Sequence, residues 1–317
     1  MNADSWANCE RLLLAAFGDA STAAEFSEDS LCTAGQLLSR QGAAAPSGLG
    51  DAADHLLHGG FRAGEVVEVF GPAGVGKTQL ALSVAAHAAS SGSRVIYATA
   101  KDSPFDLACR LKEILAARGV AQGSEAQAAL RNVRLASMGD FADLARILAE
   151  VEALPDSLGP GRPPLLILDL ATLVLAPFTA ALGSGHRWRF AWLWRQLRQL
   201  SNELSVHILL LSHTVGGVGA NSGRSQLALG PMWASASTMR LELVLLGAHG
   251  GPGAAGAAGD KTGRPYAAAQ HLALILRKGR RRSAEGSTAT VVLCAAGVCA
   301  APEAAAGALA DRALCVA

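Results

Sequence analysis

Hydrophobic positions along this chain fall into two alternating rhythms. Short, mostly apolar runs at 65–70, 95–100, 133–136, 165–169, 206–212, 241–246, 272–277 and 290–294 have the length and composition of buried strands. Between most of them lie longer stretches with helical spacing. Leu80, Ala81, Val84, Ala85 and Ala88 mark one helix face from Lys77 onward, and Leu107, Leu111, Ile114 and Leu115 mark another within 105–118. Residues 140–154 and 188–204 read as further helices. Apolar strands separated by helices predict an α/β fold with a mostly parallel central sheet covered by helices on both faces. Residues 1–45 carry helical spacing and acids before an Ala/Gly/Ser/Pro-rich turn, which predicts a small N-terminal helical segment and linker ahead of a core over 46–317. Residues 247–270, mostly Gly and Ala without periodicity, predict a mobile loop.

The first strand runs into Gly71, Pro72, Ala73, Gly74, Val75, Gly76, Lys77 and Thr78, which match the phosphate-loop pattern G-x-x-x-x-G-K-[ST] at every specified position. Strand, glycine loop and helix follow in the order such a site needs. The glycines let backbone N–H groups approach phosphate oxygens, and the helix N-terminus adds partial positive charge. Lys77 is placed for the β- and γ-phosphates and Thr78 for Mg²⁺, with Gln79 next in the helix. ATP and Mg²⁺ are therefore the expected cofactors. In folds of this class ligands sit at the carboxyl ends of the strands, where Lys101, Asp102, Asp169 and His213 also fall. Asp169 closes the apolar strand 165–169 and is the carboxylate expected to complete the Mg²⁺ shell with Thr78.

Composition narrows the partners more than the fold. Half of the 317 residues are hydrophobic, 17% are charged and the formal net charge is +1, so any nucleic-acid contact must come from local basic patches. Six scattered cysteines without a C-x-x-C pair read as reduced thiols of an intracellular protein rather than a zinc site. The apolar run at 12–17 is short and lacks a basic flank, which argues against a signal peptide. Those at 165–178 and 290–301 fall below the ~20 residues a membrane helix needs.

Several stretches together carry a family resemblance. Gly64 and Glu65 precede the loop, Gln79 follows it, and Ser47 and Gly48 lead to Asp54, His55, Leu56 and Leu57 upstream. Downstream lie Leu227, Ala228, Leu229, Gly230 and Trp233, then Ser237, Thr238, Met239, Arg240 and Leu241. In these the chain, over about 46–295, resembles the RecA-like recombinases of eukaryotes and archaea. The Ala-Leu-Gly-x-x-Trp stretch and His213 look most like the D-type paralogue of the eukaryotic strand-exchange recombinase. The resemblance implies a RecA-type ATPase core in the nucleus that binds single-stranded or branched DNA. It also implies work with other paralogues to load the main recombinase in homologous recombination repair of double-strand breaks. Phe17 to Ala20 is similar to a short Phe-x-x-Ala plug by which some recombinases dock, and equally to a helix-end Phe in a local core.

One departure matters. Where the active recombinases carry a Glu that activates the attacking water, this chain has Lys101, and an ammonium cannot serve as that base. Asp102 either substitutes for it or is a solvated loop or helix-cap acid. His213 lies where the family senses the γ-phosphate, although a lone His at a strand end is as readily a hydrogen-bonded loop residue.

Three segments are candidate DNA contacts. Arg187 and Arg189, with Arg195, Arg198 and the tryptophans 188, 192 and 194 between them, lie at the position of the family's first DNA loop and following helix; stacking on bases competes there with core packing. Residues 216–229, Gly/Ser-rich with Arg224, match the second DNA loop. Arg280 and Arg281 belong to an acid-free basic stretch over 261–282 that also reads as a nuclear import patch or a solvated turn. Two rival readings remain: a non-hydrolysing, ATP-locked adaptor, and an unrelated phosphate-loop enzyme such as a small-molecule kinase.

Overall fold

The computed structural model describes residues 44–120, 123–154, 163–180, 187–216, 225–227, 233, 236–248, 270–279 and 284–301. The chain divides into two units, Met1–Gly42 and Ala43–Ala317. The first lies outside the described residues, and so does the Phe17 to Ala20 stretch.

In chain order the second unit runs α1 (Asp51–Leu56), β1 (Val66–Gly71), α2 (Lys77–Ser90), β2 (Val95–Thr99), α3 (Pro104–Ala117) and α4 (Ser124–Arg131). It continues with β3 (Val133–Ser137), α5 (Phe141–Glu152), β4 (Leu165–Asp169), α6 (Ala171–Ala180), α7 (Arg187–Glu203), β5 (His207–Gly216) and β6 (Ser225–Leu227). The last strands are β7 (Met239–Ala248), β8 (Gln270–Lys278), β9 (Thr288–Cys294) and β10 (Gly297–Ala300).

Sheet order is β10-β9-β8-β7-β1-β5-β4-β2-β3, with β6 paired to β5 off that path. The part from β7 to β3 is parallel. Strands β8 to β10 extend it antiparallel, as expected where strands are joined without a crossover helix. The expected mostly parallel sheet is present, with this antiparallel wing.

Alternate residues of each strand face opposite layers. Val67 and Val69 of β1, Tyr97 of β2, Ile167 of β4 and Leu209 and Leu211 of β5 share one core with Leu80, Val84 and Ala85 of α2 and Leu111, Ile114 and Leu115 of α3. The Ala-rich inner face of α2 lets the helix lie close on the strands. Each fully buried Val or Leu there contributes roughly 1.5–3 kcal/mol of hydrophobic stabilisation before entropy is charged against it. On the other face α7 covers β1 and β5, burying Phe190, Leu193, Trp194, Leu197 and Leu200.

The structure adds to the sequence reading, with the helices α1 and α4 and the strand β10 and in the following stretches. An apolar stretch after Asp169 is the helix α6, with Pro177 inside it. Strand β5 continues past Ser212 to Gly216 because it pairs antiparallel with β6, so Gly216 and 225–227 of the expected second DNA loop are strand, while 217–224 and 228–229 lie outside the described residues. Of the glycine/alanine loop expected over 247–270, the two ends are strand: β7 reaches Ala248 and β8 begins at Gln270.

Candidate functional site: a phosphate loop facing a buried carboxylate

Register brings the chemistry together. Gly71 pairs with His213 across β1 and β5, and Thr99 pairs with Asp169 across β2 and β4. In the order β1-β5-β4-β2, the phosphate loop, His213, Asp169 and the Lys101 turn therefore line one edge of the sheet.

The loop is built for close approach. Gly76, the N-cap of α2, has φ 102° and offers no side-chain cap, and the first turn of α2 carries no acid. The leading N–H groups of such a helix have no intrahelical acceptor, which makes the terminus receptive to an anion. Gly71 has no room for a side chain: a Cβ there would lie 2.5 Å from the Leu243 carbonyl oxygen. Pro72, Ala73 and Gly74 are exposed, whereas Val75 is buried. Lys77 is itself buried, and its Nζ donates to the carbonyls of Gly71 (2.8 Å) and Pro72 (2.6 Å). Burial first, then the charge of Lys101, pulls the Lys77 ammonium down to about 8, against an upward pull from Asp169.

Thr78 Oγ1 donates to Asp169 Oδ2 at 2.8 Å, and Tyr97 OH donates to the same oxygen at 2.7 Å. Asp169 is fully buried. Burial raises its carboxyl above the usual range, while Lys101 and the two hydroxyl donors pull it back. Its Oδ1 is buried without a hydrogen-bond partner, and so are Thr172 Oγ1, Ser212 Oγ and His213 Nδ1. An orphaned carboxylate oxygen beside a threonine hydroxyl is the kind of hard oxygen donor set that suits Mg²⁺.

At the end of β2, Thr99 Oγ1 accepts from the backbone N–H of Lys101 (3.4 Å) and of Asp102 (3.1 Å). Lys101 Nζ pairs with Asp102 Oδ2 at 3.2 Å. The N-cap of α3 is Ser103, whose side chain accepts from Phe105 N–H. Asp102 is thus an ion-paired turn residue and not the helix cap. His213 is half-buried, and burial, then Lys77 and Lys101, lowers its imidazole.

With this geometry in place, comparison with known proteins becomes informative. A family model described as an AAA domain matches residues 44–215. The chain belongs to that family. Its AAA domain spans α1 to β5, so it contains the whole phosphate site. The DNA repair protein RAD51 homolog 4 of Bos taurus is 31% identical over 198 residues, 60% of this chain and 58% of that protein. The mouse (Mus musculus) protein of the same name is also 31% identical over 198 residues, 60% and 57% respectively. The DNA repair and recombination protein RadB of Halobacterium salinarum is 32% identical over 127 residues, 40% of this chain and 48% of RadB. The chain therefore matches less than two thirds of the length of these relatives. A crystal structure of the RadB recombinase superposes with a TM-score of 0.57 at 20% identity, covering 80% of this chain and 97% of that one, so the fold is RecA-like.

Around this AAA domain the remaining expectations divide. Gly71 to Thr78, Asp169, Lys101, Asp102 and His213 converge. Gln79 sits in the first turn of α2, but its side-chain oxygen already accepts from Arg110 Nε at 2.8 Å. Arg187 and Arg189 open α7, while Arg224, Arg280 and Arg281 lie outside the described residues. Trp192 and Trp194 are engaged in packing, and the side chain of Trp188 lies outside the described ones. Trp194 is buried against Trp233, ring centroids 4.6 Å apart, and Trp192 meets Phe141 edge-on at 5.3 Å.

Tyr97 and Glu68 carry roles that the sequence pattern had not assigned. Glu68 is fully buried mid-strand, where Trp233 Nε1 (2.8 Å), Ser237 Oγ (3.4 Å) and Arg240 Nε (2.7 Å) all donate to it. The signal for each was a polar group inside an apolar strand, which must find a partner when buried.

Proposed function

We propose that this chain is an ATP- and DNA-binding recombinase paralogue, most like the D type, acting in homologous recombination repair of double-strand breaks in the nucleus. It turns ATP over slowly in a DNA-dependent way and helps load or stabilise the main recombinase on single-stranded or branched DNA, alongside other paralogues. The observation that carries the nucleotide part is the Thr78–Asp169 contact at the mouth of the phosphate loop. The DNA-repair part rests on the relatives named RAD51 homolog 4 and RadB.

In this reading the loop amides and Lys77 hold the phosphates, and Thr78 with Asp169 would hold Mg²⁺, which supplies charge neutralisation at the β- and γ-phosphates. Tyr97 orients the Asp169 carboxylate through its hydroxyl. Asp102 is the acid in reach of the position where the resemblance expects a base, and Lys101 holds it in an ion pair. His213 passes the nucleotide state toward the β5–β6 hairpin, and Arg187, Arg189, Arg224, Arg280 and Arg281 contact DNA phosphates.

That same ion pair favours a second reading. With the Asp102 carboxylate held by Lys101, the protein is an ATP-locked adaptor whose work lies in its partners. ATP turnover with and without single-stranded DNA separates the two. DNA-stimulated turnover that disappears in Asp102→Asn supports the slow ATPase; tight binding with no turnover supports the adaptor; neither binding nor turnover contradicts both.

A further inference from the structure

Lys101 contributes little to holding the fold together. Its side chain is 37% exposed and that of its partner Asp102 35%, and an ion pair that exposed adds little stability. The turn bearing it is nonetheless tied down. Thr99 Oγ1 accepts from the N–H groups of Lys101 and Asp102, and Ala100 N–H donates to the Asp169 carbonyl at 2.6 Å. The turn that carries Lys101 therefore lies beside the end of β4, at Asp169.

From there the charge of Lys101 reaches three groups on other elements. Burial is the larger cause at each, but the Lys101 charge adds to the lowering of Lys77 on α2 and, after Lys77, of His213 on β5, and it draws Asp169 back toward the ionised form. The sheet edge thus gathers Lys77, Lys101 and the uncapped terminus of α2 around two carboxylates, the buried Asp169 and the Lys101-paired Asp102. A diphosphate in the loop would engage Lys77 and the helix terminus. A third phosphate would lie toward the ends of β5, β4 and β2, where Lys101 is the second cation.

We propose that Lys101 is the residue by which this site distinguishes a nucleoside triphosphate from a diphosphate, its ammonium leaving Asp102 for the terminal phosphate. The Lys101–Asp102 pair is then the resting form of a switch, and triphosphate binding releases the Asp102 carboxylate at the start of α3. This rests on the nucleotide-site reading above. Lys101 acts here as a specificity determinant.

The test is equilibrium binding of a fluorescent, non-hydrolysable ATP analogue and of fluorescent ADP, both with Mg²⁺, to the full chain and its variants. Lys101→Met is expected to weaken the triphosphate about tenfold or more, the scale of one charge-assisted contact, with ADP changed less than about twofold. Lys101→Arg keeps the preference, and Asp102→Asn, which removes the competing carboxylate, tightens the triphosphate. Equal loss for both nucleotides in Lys101→Met, or no loss for either, overturns the proposal. Lys77→Ala marks the underlying reading: if it binds both nucleotides as the wild type does, the phosphate site itself is wrong, and the role of Lys101 falls with it.

Discussion

Thr78 and Asp169, 91 positions apart in the chain, meet at 2.8 Å through the threonine hydroxyl and one carboxylate oxygen. The other oxygen of Asp169 is buried and unpartnered. Because burial raises the Asp169 carboxyl, the ionised form costs the fold stability as pH rises through that raised value. Asp169→Asn is therefore expected to melt at the same temperature as the wild type or higher, while losing about tenfold or more of Mg²⁺-dependent nucleotide affinity. Calorimetry together with nucleotide titration, with and without Mg²⁺, checks both halves.

Glu68 and Arg240 form a buried pair, with Arg240 also lying over the Phe70 ring at 4.4 Å. Removing one member leaves a buried charge uncompensated, so Glu68→Leu or Arg240→Met alone is expected to cost about 3–5 kcal/mol. The double variant should recover much of that loss. Urea unfolding of the three proteins measures it, and equal losses in single and double variants would remove the pair from the account.

How much of this was legible in the sequence depends on distance along the chain. The unit β1, loop and α2 is local, and its glycines and apolar spacing announced it. Asp169 was legible because a carboxylate ending an apolar strand stands out. The contact between Glu68 and Arg240, 172 positions apart, was not: periodicity says that a strand is buried and nothing about which residue crosses to it. Tyr97 was hidden for the same reason, since its role exists only once β2 and β4 are in register. Helix α6 went unread because its apolar run continues that of β4 and contains Pro177, so no change of period marks the boundary. The tryptophans of α7 were legible only as a choice between base stacking and core packing, because an aromatic on a helix beside arginines has the same spacing whether it meets a base or, as Trp194 does, another buried ring.

His207 sets an acid limit. It is buried at the start of β5 beside Phe61, with burial lowering its imidazole from 6.5 to about 4. Between those values the unfolded chain takes up a proton that the folded protein refuses, so stability falls as pH drops from about 6.5 toward about 4. At about 1.4 kcal/mol per pH unit the loss approaches 3 kcal/mol. Unfolding free energies across this range should show that slope in the wild type and a flatter one in His207→Leu.

Gly71 and Gly74 separate packing from conformation. Gly71→Ala drives a methyl into the Leu243 carbonyl of β7 and is expected to destabilise the sheet by several kcal/mol. Gly74 has φ +78° and nothing within 4 Å of an added Cβ. Gly74→Ala therefore carries only the backbone cost, roughly 1 kcal/mol, and folds. Thermal melts of the two variants should differ accordingly.

The most direct test of the account is titration of a fluorescent ATP analogue with Mg²⁺ into the wild-type chain and Lys77→Ala, each first shown to be folded. The account predicts saturable binding by the wild type and a loss of at least about tenfold in the variant. Equal affinity in the two proteins would contradict the claim that the loop from Gly71 to Thr78, facing Asp169, is where this protein holds a nucleotide.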